Sequence, residues 1–249
     1  MQNNYNKLIN NFESLQLNLF KANLDQYITY IENGSKTLID ALYELTEMEM
    51  TLRSERAMNA CVKVANFPFI KTFEDFEFSF QPSINKDQII NFKYLKFIEN
   101  KENIVFIGSP GVGKTHLATS IGIEAAKLRT STYFISCGDL ILQLKRAHIE
   151  NRLEQRLKFF AKYKLLIIDE VGFLPLDIES SNLLFQLIAK RYERTSTIVT
   201  TNKPLSRWAE IFGDPVIANA ILDRLLHHSH VINIVGRSYR TKDLIEDDK

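Results

Sequence analysis

The strongest constraint on the fold of this chain is a glycine-rich run, Gly108-Ser109-Pro110-Gly111-Val112-Gly113-Lys114-Thr115. It matches the pattern GxxxxGK(S/T), and it follows a strand-like apolar segment and precedes an amphipathic, helix-like one. In such a loop the backbone N–H groups curl around phosphate oxygens, and the helix N-terminus adds partial positive charge. We predict that residues 108–116 bind ATP, with Lys114 at the β- and γ-phosphates and Thr115 at Mg²⁺. His116 is the last residue of this segment.

A second signal is an aliphatic run that ends in two carboxylates, Leu165-Leu166-Ile167-Ile168-Asp169-Glu170. Ligands of open α/β sheets sit beyond the carboxyl ends of the strands, which is where these acids lie. We predict that Asp169 supports Mg²⁺ and that Glu170 polarises an attacking water. A kinase has no need of a water-activating base there, so the pair favours hydrolysis.

A third apolar strand is followed by Asn202, within Thr197-Ile198-Val199-Thr200-Thr201-Asn202. We predict that this strand lies between the two preceding ones. The Asn202 amide could then hydrogen-bond the attacking water or the γ-phosphate. Taken alone, the same residues are also a common way for a chain to leave a sheet.

Short apolar runs alternate with helix-length segments from residue 67 onward, which predicts a doubly wound α/β domain with a five-stranded parallel sheet. The predicted helices that face the sheet are Gly113–Leu128 and Ile178–Glu193. The predicted strands are Ile104–Gly108, Thr132–Ser136, Leu165–Asp169, Thr197–Thr201 and Val231–Val235.

Residues 1–66 are predicted to form a separate, all-helical domain, with a break at Asn33-Gly34-Ser35 between two helices. Leucines and a phenylalanine recur at helical spacing in both halves. They are Leu8, Phe12, Leu15 and Leu19, then Leu38, Leu42, Leu45 and Leu52. An aromatic, proline-containing connector begins at Phe67, so we place the domain boundary between residues 66 and 67.

Composition excludes several other classes of protein. The chain has 249 residues, of which 45% are hydrophobic and 24% charged, so a packed core is expected rather than disorder. Cys61 and Cys137 lack metal-ligand spacing, and neither a secretory leader nor a membrane-spanning stretch is present. We expect a cytoplasmic protein without a membrane partner.

These motifs together resemble the AAA+ ATPases, and more narrowly the IstB-like ATP-binding proteins of insertion sequences, relatives of the DnaC helicase loaders. The resemblance covers most of residues 45–245. Its specific stretches are Ala65–Pro68, Lys71–Glu74, Gly113–Ala118, Leu165–Gly172, Arg191–Arg194, Thr201–Pro204, Trp208, Phe212–Asp214, Leu222–His227 and Gly236–Arg240.

The resemblance implies a transposition helper that uses ATP and Mg²⁺ and forms homo-oligomers with shared ATP sites. Such a protein assembles on double-stranded DNA with little sequence preference, remodels it, and recruits or stimulates the transposase of the same element. Residues 1–66 would contact that partner. A helicase loader, with a hexameric helicase as partner, is the alternative within the same chemistry. A small-metabolite kinase and an ATP-gated module without turnover are the alternatives from other classes.

By the same resemblance, an arginine of one subunit completes the ATP site of its neighbour. Arg224, in Asp223-Arg224-Leu225, matches that position best, and Arg191, Arg194 and Arg207 are alternatives. Few residues follow the last predicted strand, so we expect no full C-terminal lid domain. Arg240 could partly replace the arginine of such a lid.

The net charge of the whole chain is only +1, but one segment is strongly basic. Residues 140–164 carry seven lysines and arginines and two glutamates, a net charge of +5. Contacts with DNA phosphates need only such side chains. The residues that we predict to bind DNA are Lys145, Arg146, Arg152, Arg156 and Lys158. A solvated helix face is the alternative interpretation.

Three clustered histidines, His227, His228 and His230, do not by themselves predict a metal site. No cysteine or paired acid stands near them in the sequence.

Overall fold

The computed structural model describes residues 2–242. Their contacts divide the chain into two compact units after Ala60. The first unit is helical, and its elements are α1 (Gln2–Ser14), α2 (Asn18–Glu32) and α3 (Leu38–Val64), the last of which runs past the division. The boundary that the sequence predicts between residues 66 and 67 remains a prediction.

The first unit has three helices where the sequence analysis predicts two. The unpredicted turn is centred on Gln16, which has a φ of 56°, and the Leu17 N–H donates to the Phe12 carbonyl there. Leu15 is therefore exposed rather than part of a buried stripe. The buried cluster consists of Phe20, Tyr27, Ala41 and Leu45. Of the predicted stripes only Leu45 enters this buried cluster, and two aromatic rings outside the stripes, Phe20 and Tyr27, complete it with Ala41.

The second unit contains five strands and eight helices among the described residues. The strands are β1 (Asn103–Gly108), β2 (Thr132–Ser136), β3 (Leu165–Val171), β4 (Ser196–Thr201) and β5 (Ser229–Ile234). The helices are α4 (Lys86–Asn91), α5 (Lys96–Glu99), α6 (Lys114–Lys127), α7 (Cys137–Ile149), α8 (Leu153–Ala161), α9 (Ile178–Arg191), α10 (Ala209–Phe212) and α11 (Pro215–Leu226).

All strand pairs are parallel, in the order β2-β3-β4-β1-β5. The predicted doubly wound sheet is therefore confirmed, and so is the position of β4 between β1 and β3. Two strand ends differ from the prediction by two residues: β3 continues to Val171, and β5 begins at Ser229. The starts of β1 and β4 and the end of β5 differ by one residue. At β5, the two polar residues before Val231 also pair with β1: Ser229 lies opposite Asn103, and His230 lies opposite Ile104. Backbone hydrogen bonding thus extends the strand beyond its apolar part.

The sheet is covered on both faces, as parallel sheets usually are. Alternate residues of β3 enter two separate hydrophobic clusters. Leu166 and Ile168 pack in a cluster with α7, α8, α9 and α11, whereas Leu165 and Ile167 pack in one with α6 and the aromatic connector. This two-sided burial fixes the strand register, because a slip of one residue would exchange the two sets.

Arg191 is a charged residue inside this core. It is 1% exposed, and its guanidinium donates to the carbonyls of Phe160 and Tyr163, both at 2.9 Å. Its Nε donates to the Thr197 hydroxyl at 3.0 Å, and Nη2 donates to the Ser196 carbonyl. The side chain therefore joins the end of α8 to the start of β4.

The end of the chain contains no lid domain among the described residues. After β5 the structure describes a single 3-10 turn, Tyr239–Thr241, and residues 243–249 lie outside the described part. Within residues 2–242, no helix is both long and apolar enough to cross a membrane.

Candidate active site

The predicted phosphate loop, the acidic strand end and Asn202 meet at one edge of the sheet. They line a cavity of about 640 Å³ beyond the carboxyl ends of β1, β3 and β4. Because β4 separates β1 from β3, Thr115 at the start of α6 lies opposite Asp169 of β3. The three sequence signals therefore form one site.

Two glycines of the phosphate loop are required by both conformation and space. Gly111 and Gly113 have φ angles of 81° and 99°, a region that L side chains rarely adopt. A Cβ on Gly111 would lie 2.0 Å from the Ser238 hydroxyl, and one on Gly113 would lie 2.4 Å from the Phe76 ring. The loop is thus enclosed by the connector on one side and by the C-terminal segment on the other.

Lys114 is held by the phosphate loop itself. Its ammonium donates to the carbonyls of Gly108 and Ser109, both at 2.8 Å. Burial lowers its pKa, and the carboxylates of Asp169 and Glu170 oppose that change. A phosphate anion at this place would provide the strong acceptor that a half-buried ammonium otherwise lacks.

Asp169 is the buried acid of the site, 6% exposed. The Thr115 hydroxyl donates to it at 3.0 Å, and the Thr200 hydroxyl donates at 2.5 Å. Burial raises the pKa of Asp169, and these two hydrogen bonds partly oppose the shift. A carboxylate and a hydroxyl at this distance are oxygen ligands of the kind that Mg²⁺ prefers, so the residues fit that ion. Bound there, Mg²⁺ would neutralise phosphate charge.

Glu170 differs from Asp169 in both conformation and exposure. It is exposed, has a φ of 61°, and lies where the pairing of β3 with β4 shifts register between Ile168 and Val171. Irregularities of this kind re-aim a side chain at the end of a strand. The Glu170 N–H donates to the Thr200 hydroxyl at 2.9 Å, and its side chain lines the cavity. Thr200 thus positions both acids, a role that its place in an apolar run does not reveal.

Asn202 reaches the same cavity from the end of β4. Its Oδ1 is buried and accepts no hydrogen bond from the described residues. Buried polar atoms are normally paired, so an unpaired acceptor here marks a place that suits a water molecule.

His116 lines the cavity, but its ring is already engaged. Its Nε2 lies 2.8 Å from the Thr72 carbonyl, and its ring packs edge-on against Phe76, with ring centroids 5.2 Å apart. Burial lowers its pKa, which favours the neutral ring. His116 therefore fixes the aromatic connector beside the phosphate loop.

The C-terminal segment also borders the site. The Tyr239 N–H donates to the Gly111 carbonyl at 2.9 Å, and Gln81 donates to the Arg237 carbonyl at 2.8 Å. The Tyr239 and Phe80 rings stack edge-on, with centroids 5.2 Å apart. These contacts bring Arg240 to the cavity, where its charge lowers the pKa of Lys114.

Arg224 lies on α11, away from the residues that line this cavity. Its guanidinium stacks over the Phe185 ring, 4.8 Å from the centroid, and donates to the Ala220 carbonyl at 2.9 Å. Of the alternatives, Arg191 is buried and Arg207 forms two hydrogen bonds with Glu210. Arg194 is exposed just after α9.

The predicted DNA-binding residues divide between α7, α8 and the turn that joins them. Four of them pair with acids: Lys145 with Asp177, Arg146 and Arg152 with Glu150, and Lys158 with Glu154. These are exposed pairs, which contribute little and can exchange a carboxylate for a phosphate.

Two arginines of this segment, Arg152 and Arg156, lie in different surroundings. Arg152 precedes α8 rather than belonging to it. Arg156 is half-buried; its guanidinium lies 4.5 Å from the Phe159 ring centroid and donates to Gln143. The Arg156 guanidinium is therefore already engaged by Phe159 and Gln143.

Comparisons with known proteins identify the family to which this chain is similar. The sequence profile of the family "IstB-like ATP binding protein" matches residues 10–246. The chain is 54% identical over 243 residues to the ATP-binding protein of insertion sequence IS232 from Bacillus thuringiensis subsp. berliner, an alignment that covers 98% of this chain and 97% of that protein.

Two solved structures resemble the fold. The DnaC helicase loader is 26% identical, with a TM-score of 0.55, and the match covers 69% of this chain and 97% of that one. AMPPCP-bound DnaA from Aquifex aeolicus is 19% identical, with a TM-score of 0.56 over 73% of this chain and 56% of that one. AMPPCP-bound DnaA therefore shares this α/β architecture and carries a bound nucleotide.

Proposed function

This chain belongs to the IstB-like ATP-binding protein family, and from that premise we propose that it hydrolyses ATP with Mg²⁺ as a DNA-bound, self-assembling helper of a transposase. The family and the AAA+ P-loop fold establish an ATP-binding helper role. Beyond this role we propose four further properties: ATP hydrolysis, self-assembly, binding to DNA and action on a transposase.

Hydrolysis rests on one observation, the different environments of two adjacent carboxylates. Asp169 is buried between two hydroxyl donors, as a metal ligand would be. Glu170 is turned out by its positive φ towards the cavity, where its carboxylate can accept a proton from water. Asn202 offers an unpaired acceptor that would orient that water. A kinase, by contrast, would exclude water from this point.

The experiment is the change Glu170→Gln, which keeps the shape of the side chain and removes its basicity. We expect ATP to bind but phosphate release to fall by at least 100-fold, within the range that general-base catalysis contributes. Glu179→Gln is the matched control, because Glu179 is an exposed residue of α9.

Three outcomes of this experiment distinguish the alternatives. Normal turnover by Glu170→Gln would refute the assignment of the base. Absence of phosphate release by the unaltered protein, even with DNA, would favour an ATP-gated module. Phosphate transfer to a metabolite instead of water would favour a kinase.

Assembly is proposed from the position of Arg224. Its guanidinium is too far from its own site to line the cavity, yet it is half-exposed on α11. An arginine supplied by a neighbouring subunit stabilises transition-state charge on the γ-phosphate. We propose that Arg224 does so and that turnover therefore depends on oligomerisation.

DNA binding is proposed from the basic segment of α7 and α8. Arg146, Arg152 and Lys158 present exposed cations, Lys145 is half-buried, and the partners of all four are surface carboxylates. Contacts of this type attach to phosphates without reading bases, so binding to double-stranded DNA should be largely independent of sequence. Arg156 would contribute least, because its guanidinium is packed on aromatic rings.

The proposed partner is the transposase of the same insertion sequence. Its support is the 54% identity to the ATP-binding protein of IS232. A replicative helicase is the second candidate, favoured by the 26% identity to the DnaC helicase loader. Binding assays with the transposase encoded next to this chain and with the helicase of the same cell separate the two.

A further inference from the structure

Three exposed side chains form a cluster that the ATP site does not use. Glu193 lies in the turn between α9 and β4, and His227 and His228 follow the end of α11. Their ligand atoms all lie within 4.8 Å of one another. Sequence spacing does not reveal this cluster, because Glu193 is more than thirty positions away from the histidines along the chain.

We propose that Glu193, His227 and His228 form a Zn²⁺ site. One Glu193 carboxylate oxygen lies 3.5 Å from His227 Nδ1 and 3.8 Å from His228 Nε2. Ligands about 2.1 Å from a tetrahedral zinc ion are about 3.4 Å apart. These two separations are therefore close to those of a bound site, and all three ligand atoms lie within 4.8 Å of one another.

The donor set fits this metal. Two imidazoles and one carboxylate are ligands typical of zinc, whereas Mg²⁺ and Ca²⁺ prefer all-oxygen sites. Three protein ligands leave a fourth position to water, which agrees with the exposure of the cluster.

Backbone contacts place the three residues independently of any ion. The His227 N–H donates to the Asp223 carbonyl at 3.1 Å, and the His228 carbonyl accepts from the Asn103 N–H at 2.7 Å. Glu193 has a φ of 56°, which sets the direction of its side chain. Ligands that are fixed before binding lose less conformational freedom on binding the ion.

Tyr192 competes with the proposed ion. Its hydroxyl lies 2.7 Å from His227 Nδ1, the nitrogen nearest to Glu193. Zinc would have to displace this hydrogen bond. Removal of the hydroxyl should therefore leave zinc binding as tight or make it tighter, which a purely structural network would not predict.

A bound ion would join two elements of the ATPase unit, the turn after α9 and the end of α11. Arg224 lies in the last turn of α11, three residues before His227. The ion would thus fix the end of the helix that carries the arginine proposed to act on a neighbouring subunit.

The test is a calorimetric titration of the full-length protein with ZnCl₂, in excess Mg²⁺ so that oxygen-rich sites are occupied. We expect saturable binding of one ion per chain. Glu193→Gln and His228→Ala should each weaken it at least tenfold, and Tyr192→Phe should not weaken it. Cobalt in place of zinc should give an absorption spectrum that is lost in His228→Ala.

His230→Ala is the matched control, because His230 stands two residues further on and its Nε2 lies 2.8 Å from Glu102 instead. It should bind zinc like the unaltered chain. The proposal is overturned if no saturable binding occurs, if His230→Ala weakens binding as much as His228→Ala, or if Tyr192→Phe abolishes it. These results would leave the proposal for ATP hydrolysis unaffected, because that is tested at Glu170.

Discussion

Replacement of Arg191 by methionine should destabilise the ATPase unit without altering its ATP site. Methionine keeps much of the aliphatic stem but has no donors. The carbonyls of Phe160, Tyr163 and Ser196 would then lose their guanidinium partner in the interior. The Thr197 hydroxyl can rotate to another acceptor, so its loss is smaller.

The expected magnitude follows from those three carbonyls. A buried acceptor left without a partner costs about 1 to 3 kcal/mol, which gives roughly 3 to 9 kcal/mol in all. The variant is also relieved of burying a charge that has only neutral partners, and this offsets part of the loss. We therefore expect a loss of about 4 kcal/mol, a large share of a typical stability of about 5 to 15 kcal/mol.

Trp208 makes the assay specific. It is the single tryptophan of the chain, 1% exposed, and it lies in the same hydrophobic cluster as Phe160 and Leu187. Its fluorescence during urea unfolding therefore reports on this core and not on the first unit. Arg194→Met is the control, because Arg194 is exposed three residues later and should change stability by about 0.5 kcal/mol or less.

A loss below about 1 kcal/mol for Arg191→Met would refute this reasoning. It would mean that water or rearranged backbone satisfies the three carbonyls.

Three further results are expected. The double variant Arg152→Ala and Lys158→Ala should reduce the slope of log affinity against log salt for duplex DNA by roughly 2, since each phosphate contact contributes about 0.9. Lys114→Ala and Arg224→Ala should each abolish ATP hydrolysis, and a mixture of the two should recover part of it, because a hybrid site can combine an intact loop with an intact arginine. Asp169→Asn should abolish Mg²⁺-dependent turnover yet stabilise the protein at neutral pH. Because burial raises the pKa of Asp169, its ionised form disfavours the folded state. The difference in stability between the variant and the unaltered protein should therefore shrink as the pH falls through that pKa.

Each of these results has an outcome that contradicts it. An unchanged salt slope would remove the basic segment from the DNA interface. Failure of the mixed subunits to recover activity would place Arg224 outside the neighbouring site. A destabilised Asp169→Asn variant at neutral pH would show that the hydrogen bonds from Thr115 and Thr200 outweigh the cost of the buried charge.

The sequence predicts well what local patterns determine. The phosphate loop, Asp169 and the order of β1, β3 and β4 follow from motifs in which spacing and strand topology are tightly coupled. Glu170 is predicted by type, but its conformation is not, because the register shift arises from pairing between distant strands.

Contacts between distant segments explain the remaining differences. Thr200 is a donor to Asp169 only because β4 lies beside β3, and Glu193 meets His227 only because α9 packs against α11. In the first unit, Phe20 and Tyr27 join Leu45 in the core although they lie outside the predicted stripes, and a turn at Gln16 divides a predicted helix.

The position of β1 in the sheet has a consequence for synthesis on the ribosome. Its neighbours are β4 and β5, which are translated after the other strands that the structure describes. A nascent chain that ends before Ser196 therefore holds the complete GxxxxGK(S/T) sequence but no strand that can pair with β1 in this order. Folding must wait for contacts of long sequence separation, which slows it. ATP can stabilise the unit by mass action only after those strands emerge, so we expect nucleotide to be captured by chains that have been translated past β5.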